Sequence, residues 1–320
     1  MRTKTKIWLI TAASLVVIGC IIFGGVMSML NWDFIKLSSS KYVTNYYEIN
    51  EEYTNISIVS KTTDVVFVPS ESQTTSVTFY EQKNNTHTVA VKDGTLEIAM
   101  IKKWQYSGFN FETPKITVHI PQGDYGALLI KTNTGDVKIP AEFKFESIDI
   151  LGKTSGIANY ASAAKHVKIK TTTGHISVEN ISASEVNLSV STGDVNVSGL
   201  NCGGDVTVGV STGDTSLSNV ACKNIISGGS TGDIYLDNVI ASEKMSIERS
   251  TGDVKFNSSD AAEIYVNTDT GDVRGNLLSE KVFITSTDTG KVDVPKSITG
   301  GRCEITTDTG DIKLEIIYIK

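Results

Sequence analysis

One triplet, Thr-Gly-Asp or a close relative of it, recurs through the chain at a nearly fixed interval, and this constrains the fold more than any other feature. It stands at Thr134-Gly135-Asp136, Ser155-Gly156-Ile157, Thr173-Gly174-His175, Thr192-Gly193-Asp194 and Thr212-Gly213-Asp214. It continues at Thr231-Gly232-Asp233, Thr251-Gly252-Asp253, Thr270-Gly271-Asp272, Thr289-Gly290-Lys291 and Thr309-Gly310-Asp311. The glycine spacings are 21, 18, 19, 20, 19, 20, 19, 19 and 20. A unit of that length cannot bury a hydrophobic face alone and must stack on copies of itself.

Between corners the pattern alternates with period two. Val186, Leu188 and Val190 precede one corner, Val195 and Val197 follow it, and Val206, Val208 and Val210 precede the next. Such alternation predicts strands with one face buried. A third apolar column, seven residues past the glycine and eight at the last member, runs Ile181, Leu200, Val220, Val239, Leu278, Ile298. The expectation is an all-β parallel solenoid (a β-helix) of about ten coils of ~20 residues, a rod roughly 45–50 Å long at about 4.8 Å per coil. A run of hairpins is the competing reading, but hairpin turns favour Gly second, as in Asp-Gly, rather than Gly-Asp. With 8% aromatic residues and five prolines the composition suits short strands and many turns.

Residues 7–30 read IWLITAASLVVIGCIIFGGVMSML, without a charge and preceded by Arg2, Lys4 and Lys6. As a helix this stretch reaches roughly 36 Å, enough for a bilayer core, and the basic flank predicts a cytoplasmic N-terminus. The expected organisation is a cytoplasmic tail (1–6), a transmembrane anchor (7–30), an N-terminal β-cap region (31–122) and the solenoid (123–320). The bulk then lies outside a cytoplasmic membrane, crossed once. A cleavable secretory peptide and a lipoprotein signal ending at Cys20 are the rivals; both leave the bulk in the same compartment. Within the cap region, Ile56–Val59 and Val65–Val68 flank Thr62-Thr63-Asp64 as a degenerate first coil, and Lys92-Asp93-Gly94-Thr95 predicts a hairpin. The aromatics Trp104, Tyr106, Phe109 and Phe111 fall here too. No cap is evident after Ile312, where Lys313, Glu315 and Lys320 would guard the edge.

The serial Ser-Thr-Gly-Asp coils, the apolar N-terminal stretch, Trp32-Asp33-Phe34, Phe67-Val68-Pro69 and Pro114-Lys115-Ile116-Thr117-Val118 together resemble the bacterial putative-adhesin family, which includes LiaG-like membrane-anchored proteins of Gram-positive bacteria. The resemblance covers nearly the whole chain. It implies an extracytoplasmic β-solenoid of unknown function with a link to cell-envelope stress, and it supplies no catalytic residues.

Stacking would line the corner aspartates along one edge about 5 Å apart, where like charges raise one another's pKa unless neutralised. Asp269, Asp288 and Asp308 add a second acidic column. The sharpest metal candidate is therefore Asp269, Asp272, Asp288, Asp308 and Asp311, with Ca²⁺ as the ion; the plainer reading is that each Asp caps its own turn. Cys202 and Cys222 share a column with Ala183, Ala241 and Ala261, as stacked small core residues or a disulfide between coils, and Cys303 stands apart. Of His87, His119, His166 and His175 only the last two are placed to meet. Interleaved Asp in Thr268-Asp269-Thr270 argues against ice binding. The net charge of −7 without a basic run past residue 6 argues against nucleic acid as a partner. No coil departs far enough from ~20 residues to wall a cleft. The expectation is a non-enzymatic, adhesin-like surface protein with no cofactor, binding an envelope protein or the cell wall, or associating with itself through the solenoid ends. A polysaccharide-active β-helix enzyme is the alternative.

Overall fold

The computed structural model describes residues 3–37, 41–101 and 112–318. Trp104, Tyr106, Phe109, Phe111 and Lys320 lie outside the described residues.

Helix α1 runs Thr3–Met29, 27 residues, or about 40 Å at 1.5 Å per residue. It is one helix long and apolar enough to cross a membrane, and its side chains are mostly exposed. After it, among the described residues, a short 3-10 turn (Phe34–Leu37) leads into β-structure. The described strands join in one sheet system in which parallel pairings dominate.

The coils stack in the register that the triplets set. Thr173 pairs with Thr192, Thr192 with Thr212, Thr212 with Thr231, Thr231 with Thr251 and Thr251 with Thr270. Ladder hydrogen bonds therefore run along the rod, and each inward position becomes a column. One such column is Val167, Val186, Val206, Ile225, Met245 and Ile264, all fully buried. Continuous columns satisfy the backbone and bury side chains together, which is why short repeats suffice.

One corner differs from the sequence reading. Thr154 bridges Thr134 and Thr173, so Ser155, not Gly156, takes the corner-glycine place. Its N–H donates to Thr173 O as that of Gly174 donates to Thr192 O. The corner residues are then 135, 155 and 174, and the irregular spacings of 21 and 18 become 20 and 19. Gly156 stands where other coils have Asp.

The stack does not follow the chain at either end. Strands β1 (Tyr42–Ile49), β2 (Asn55–Val59), β3 (Asp64–Pro69), β4 (Thr75–Gln82), β5 (His87–Lys92), β6 (Thr95–Met100), β7 (Lys115–Ile120), β8 (Gly123–Lys131) and β9 (Val137–Ile139) build the N-terminal end. The β2/β3 coil is held between the β6/β7 coil on one side and the β8/β9 coil on the other. The degenerate first coil of the sequence reading is thus a true coil, and β6/β7 extends the stack beyond it. Strands β1, β4 and β5 run antiparallel and cover this end. The hairpin at Lys92–Thr95 is present, with Asp93 (φ +48°) and Gly94 (φ +70°) both left-handed.

At the other end the coil of Gly310 (Gly301–Thr309 and Ile312–Ile316) lies between the coil of Gly271 and that of Gly290 (Lys281–Thr289 and Val292–Asp293). Gly271 N–H donates to Thr309 O at 2.9 Å and Gly310 N–H to Thr289 O at 3.0 Å. The open edge is therefore 281–293 rather than the segment after Ile312. The third apolar column is corrected in the same region. Ile181, Leu200, Val220 and Val239 are buried as expected, but Leu277 replaces Leu278, and Ile298 is 96% exposed. The strand of the Gly290 coil ends at Asp293, so Ile298 never reaches the interior.

Candidate functional site

The corner begins with a backbone problem. After each corner glycine the N–H of the next residue points along the rod toward the neighbouring coil, and the aspartate there accepts it. Asp136 N–H donates to Asp64 Oδ1, Asp214 to Asp194, Asp233 to Asp214, Asp253 to Asp233, Asp272 to Asp253 and Asp311 to Asp272, at 2.8–3.0 Å. Gly156 N–H donates to Asp136 Oδ1 at 2.8 Å. His175 Nδ1 substitutes for a carboxylate by accepting Asp194 N–H at 3.2 Å. The column is a ladder of charge-assisted caps.

The ladder explains its own exception. Lys291 N–H donates to Asp311 Oδ1 at 2.8 Å, and no described coil stacks beyond Lys291, so no acceptor is needed there. Cations also neutralise the column from outside. Lys255 Nζ lies 3.1 Å from Asp233 and 3.5 Å from Asp253, and Arg274 Nη2 lies 2.8 Å from Asp253 and 2.9 Å from Asp272. Burial alone would raise the Asp233 carboxyl, but the Asp253 N–H, the Tyr235 hydroxyl and Lys255 outweigh it and hold it below the usual range. Asp253 follows the same logic, with burial opposed by Asp272 N–H and Arg274.

The five candidate metal ligands fall into two columns. Asp272 and Asp311 are neighbours in the cap ladder. Asp269, Asp308 and Asp288 stack in that spatial order, one per coil, with exposed side chains. Among the described residues no group of three or more His, Cys, Asp or Glu is placed to hold a metal ion.

Inside the rod, three residues before each corner residue, a threonine often donates to the corner carbonyl of the neighbouring coil. Thr307 reaches Gly271 O and Thr287 reaches Gly310 O, both at 3.0 Å. Arg249 occupies this column over Gly229 and is 1% exposed. Its guanidinium donates to Val210 O at 2.9 Å and Thr215 Oγ1 at 2.8 Å, and burial lowers its pKa although Asp214 and Asp233 oppose that. A Cβ on Gly229 would stand 2.0 Å from Nη1. A small residue one period before a large charged one was the available signal in the sequence. Lys281, also 1% exposed, pairs with Asp260 at 2.6 Å.

A second buried network went unread in the sequence. Ser60 Oγ lies 3.1 Å from His87 Nε2, His87 Nδ1 lies 2.8 Å from Glu81 Oε2, and Asn45 Nδ2 donates to Glu81 Oε1 at 2.8 Å. The connectivity is that of a hydrolytic triad. Ser60, Glu81 and His87 are nevertheless 5%, 1% and 1% exposed, and the Phe79 ring stacks on His87. What the network does is tie β1, β4 and β5 to the end of β2. His166 and His175 do not meet; each pairs with its own aspartate, Asp149 and Asp194.

The cysteines are free. Cys202 and Cys222 lie in the small-residue column expected for them, beside Ala183 and Ala241. Burial pushes the Cys222 and Cys303 thiols up to about 12, which keeps them protonated and unreactive. A largely apolar surface groove of about 540 Å³ is flanked by Tyr125, Phe145 and Ala163.

A family model described as Toastrack DUF4097 matches residues 53–209 and 202–317. No curated protein matches the chain. Among solved structures, the chain is similar to a putative adhesin from Bacteroides fragilis NCTC 9343, with 17% identity over 87% of this chain and 99% of that one and a TM-score of 0.42. It is also similar to a putative adhesin from Parabacteroides distasonis ATCC 8503, with 13% identity, 86% and 98% coverage and a TM-score of 0.40. A putative lipid binding protein from the same organism shows 14% identity, 86% and 98% coverage and a TM-score of 0.38.

Proposed function

This chain belongs to the Toastrack DUF4097 family, and from that premise we propose that it is a membrane-tethered, non-enzymatic binding protein whose rod stands outside the cytoplasmic membrane. Helix α1 is the single-pass anchor, with Lys4 and Lys6 on the cytoplasmic side. The rod presents long, even faces to an envelope protein or the cell wall, and its occupancy reports envelope stress. The observation that carries this reading is the cap ladder. The corner carboxylates, which stacking would otherwise offer as an acidic site, are spent on backbone N–H groups, from Asp64 through Asp272. The faces between corners are left as the working surface.

The test is crosslinking and affinity capture of the full chain from intact cells, with and without envelope stress. Recovery of a defined envelope protein or wall fragment, changing with stress, is expected. Turnover of any cell-wall or plant polysaccharide by the purified chain would overturn the reading in favour of a β-helix enzyme. Release of the chain from membranes by alkaline carbonate would overturn the anchor.

A further inference from the structure

The two ends of the rod are finished differently. Strands β1, β4 and β5 cover the N-terminal end, whereas the strands Lys281–Thr289 and Val292–Asp293 have a described neighbour on one side only. An uncovered edge offers a row of unpaired N–H and C=O groups, and soluble proteins usually blunt such edges with charges or proline. Here the strand KVFITSTDT has no proline and carries charge only at Lys281 and Asp288, at or next to its two ends. Lys281 turns inward to Asp260, and Asp288 sits at the far end.

Three large apolar side chains are exposed at the same place. Val292 is 45% exposed, while Ile312 and Val273 in its column are fully buried. Ile284 is 45% exposed beside the edge, and Ile298 is 96% exposed. The charges match a self-complementary surface. Elsewhere the corner column is acidic except at Gly156 and His175, but this coil carries Lys291 and Lys296 against Asp288 and Asp293. A surface with both signs in equal number can meet itself about a two-fold axis without net repulsion.

We propose that this open end is a docking edge for a second copy of the chain, with strand 281–289 pairing antiparallel to itself. Antiparallel pairing of two identical edges satisfies both rows of backbone groups. The geometry has a further consequence, which rests on the tethered reading above. The chain enters the rod from α1 through β1, at the opposite end. Two rods of roughly 55 Å each, joined tip to tip, place their anchors about 110 Å apart, facing away from each other. The pair therefore joins two apposed membranes. A nine-residue edge is a small interface, weak singly and effective through many copies.

The test uses the full-length chain reconstituted into two phosphatidylcholine vesicle populations carrying donor and acceptor dyes. Wild-type protein on both populations is expected to cluster them, and protein on one population is not. Ile284→Lys places a charge at the edge and should slow clustering at least ten-fold, and Ile298→Asp should do the same. Ile226→Lys is the matched control. Ile226 lies in the same outward column and is 46% exposed, but sits mid-rod; this variant should cluster normally. All variants should melt with the wild type. Clustering that needs protein on one side only, that survives both edge variants, or that never occurs would overturn the proposal. Capture of an envelope partner from cells without vesicle clustering would leave the tethered binding reading standing and remove this one.

Discussion

Gly213 sits at φ +137°, and a Cβ built on it would lie 2.2 Å from Gly193 O and 2.6 Å from Gly193 C. The obstacle is backbone, fixed by the ladder, so it cannot swing aside. Gly213→Ala therefore carries two costs. Holding a residue with a side chain in that nearly glycine-only region costs about 1–3 kcal/mol, and relieving the overlap costs a further ~1–3 kcal/mol. A total of about 3 kcal/mol or more corresponds to a fall of roughly 6–12 °C in melting temperature for a rod of this size. Gly156 looks equivalent in the sequence but occupies the Asp place, outside the left-handed region. The nearest atom to its Cβ is the Asp136 carboxylate tip at 3.0 Å. Gly156→Ala should stay within about 1 kcal/mol. The assay is thermal and urea unfolding of the full chain in detergent by circular dichroism, with amide exchange at Gly193, Gly213 and Gly232 to show where the ladder opens. Equal losses in the two variants would refute the assignment of Ser155 to the corner.

Three further outcomes follow from the buried and charged groups. The folded pKa values of Asp233 and Asp253 are depressed, so their contribution is present above the ordinary carboxyl value of about 4 and lost as pH falls through the folded value; acid titration should open the coils of Gly232 and Gly252 below about pH 4, and an Asp233→Asn variant should flatten that part of the profile. His87→Ala should cost about 3 kcal/mol in urea unfolding, because it removes a buried ring stacked on Phe79 and takes one hydrogen bond each from Ser60 and Glu81; Ser60-dependent hydrolysis of an activated ester would instead make the network a working triad. Millimolar Ca²⁺ should shift the melting temperature by less than about 1 °C, since Asp269, Asp288 and Asp308 offer one carboxylate per coil and a stable site needs several oxygens; a saturable rise abolished by Asp308→Asn would reverse that expectation.

The coil, its period and its inward columns were legible because each is written locally and repeated. Val186, Val206 and Met245 announce the same position again and again. The slip at Ser155-Gly156 arose because two small residues adjoin there and only the partner coil distinguishes them. The interleaved ends were hidden for a deeper reason. Every corner is compatible with every other, so nothing in a repeat records which neighbour it stacks on. Lys291 was the one clue, and it reads as an interruption until the Gly290 coil is known to be last in space. The contacts joining Ser60, Glu81 and His87 link positions whose residue types carry no shared pattern, whereas Arg249 over Gly229 left only the faint trace of a small residue one period before a large one.

The β2/β3 coil bears on how the rod carries load. A simple solenoid pulled at one terminus unzips coil by coil, each ladder failing alone. Here a pull through α1 first strips β1 from β4 and then meets strands hydrogen-bonded on both edges, β2 between β6 and β8 and β3 between β7 and β9. Those ladders must slide together rather than open in turn. The end that would bear tension is thus built as a mechanical clamp.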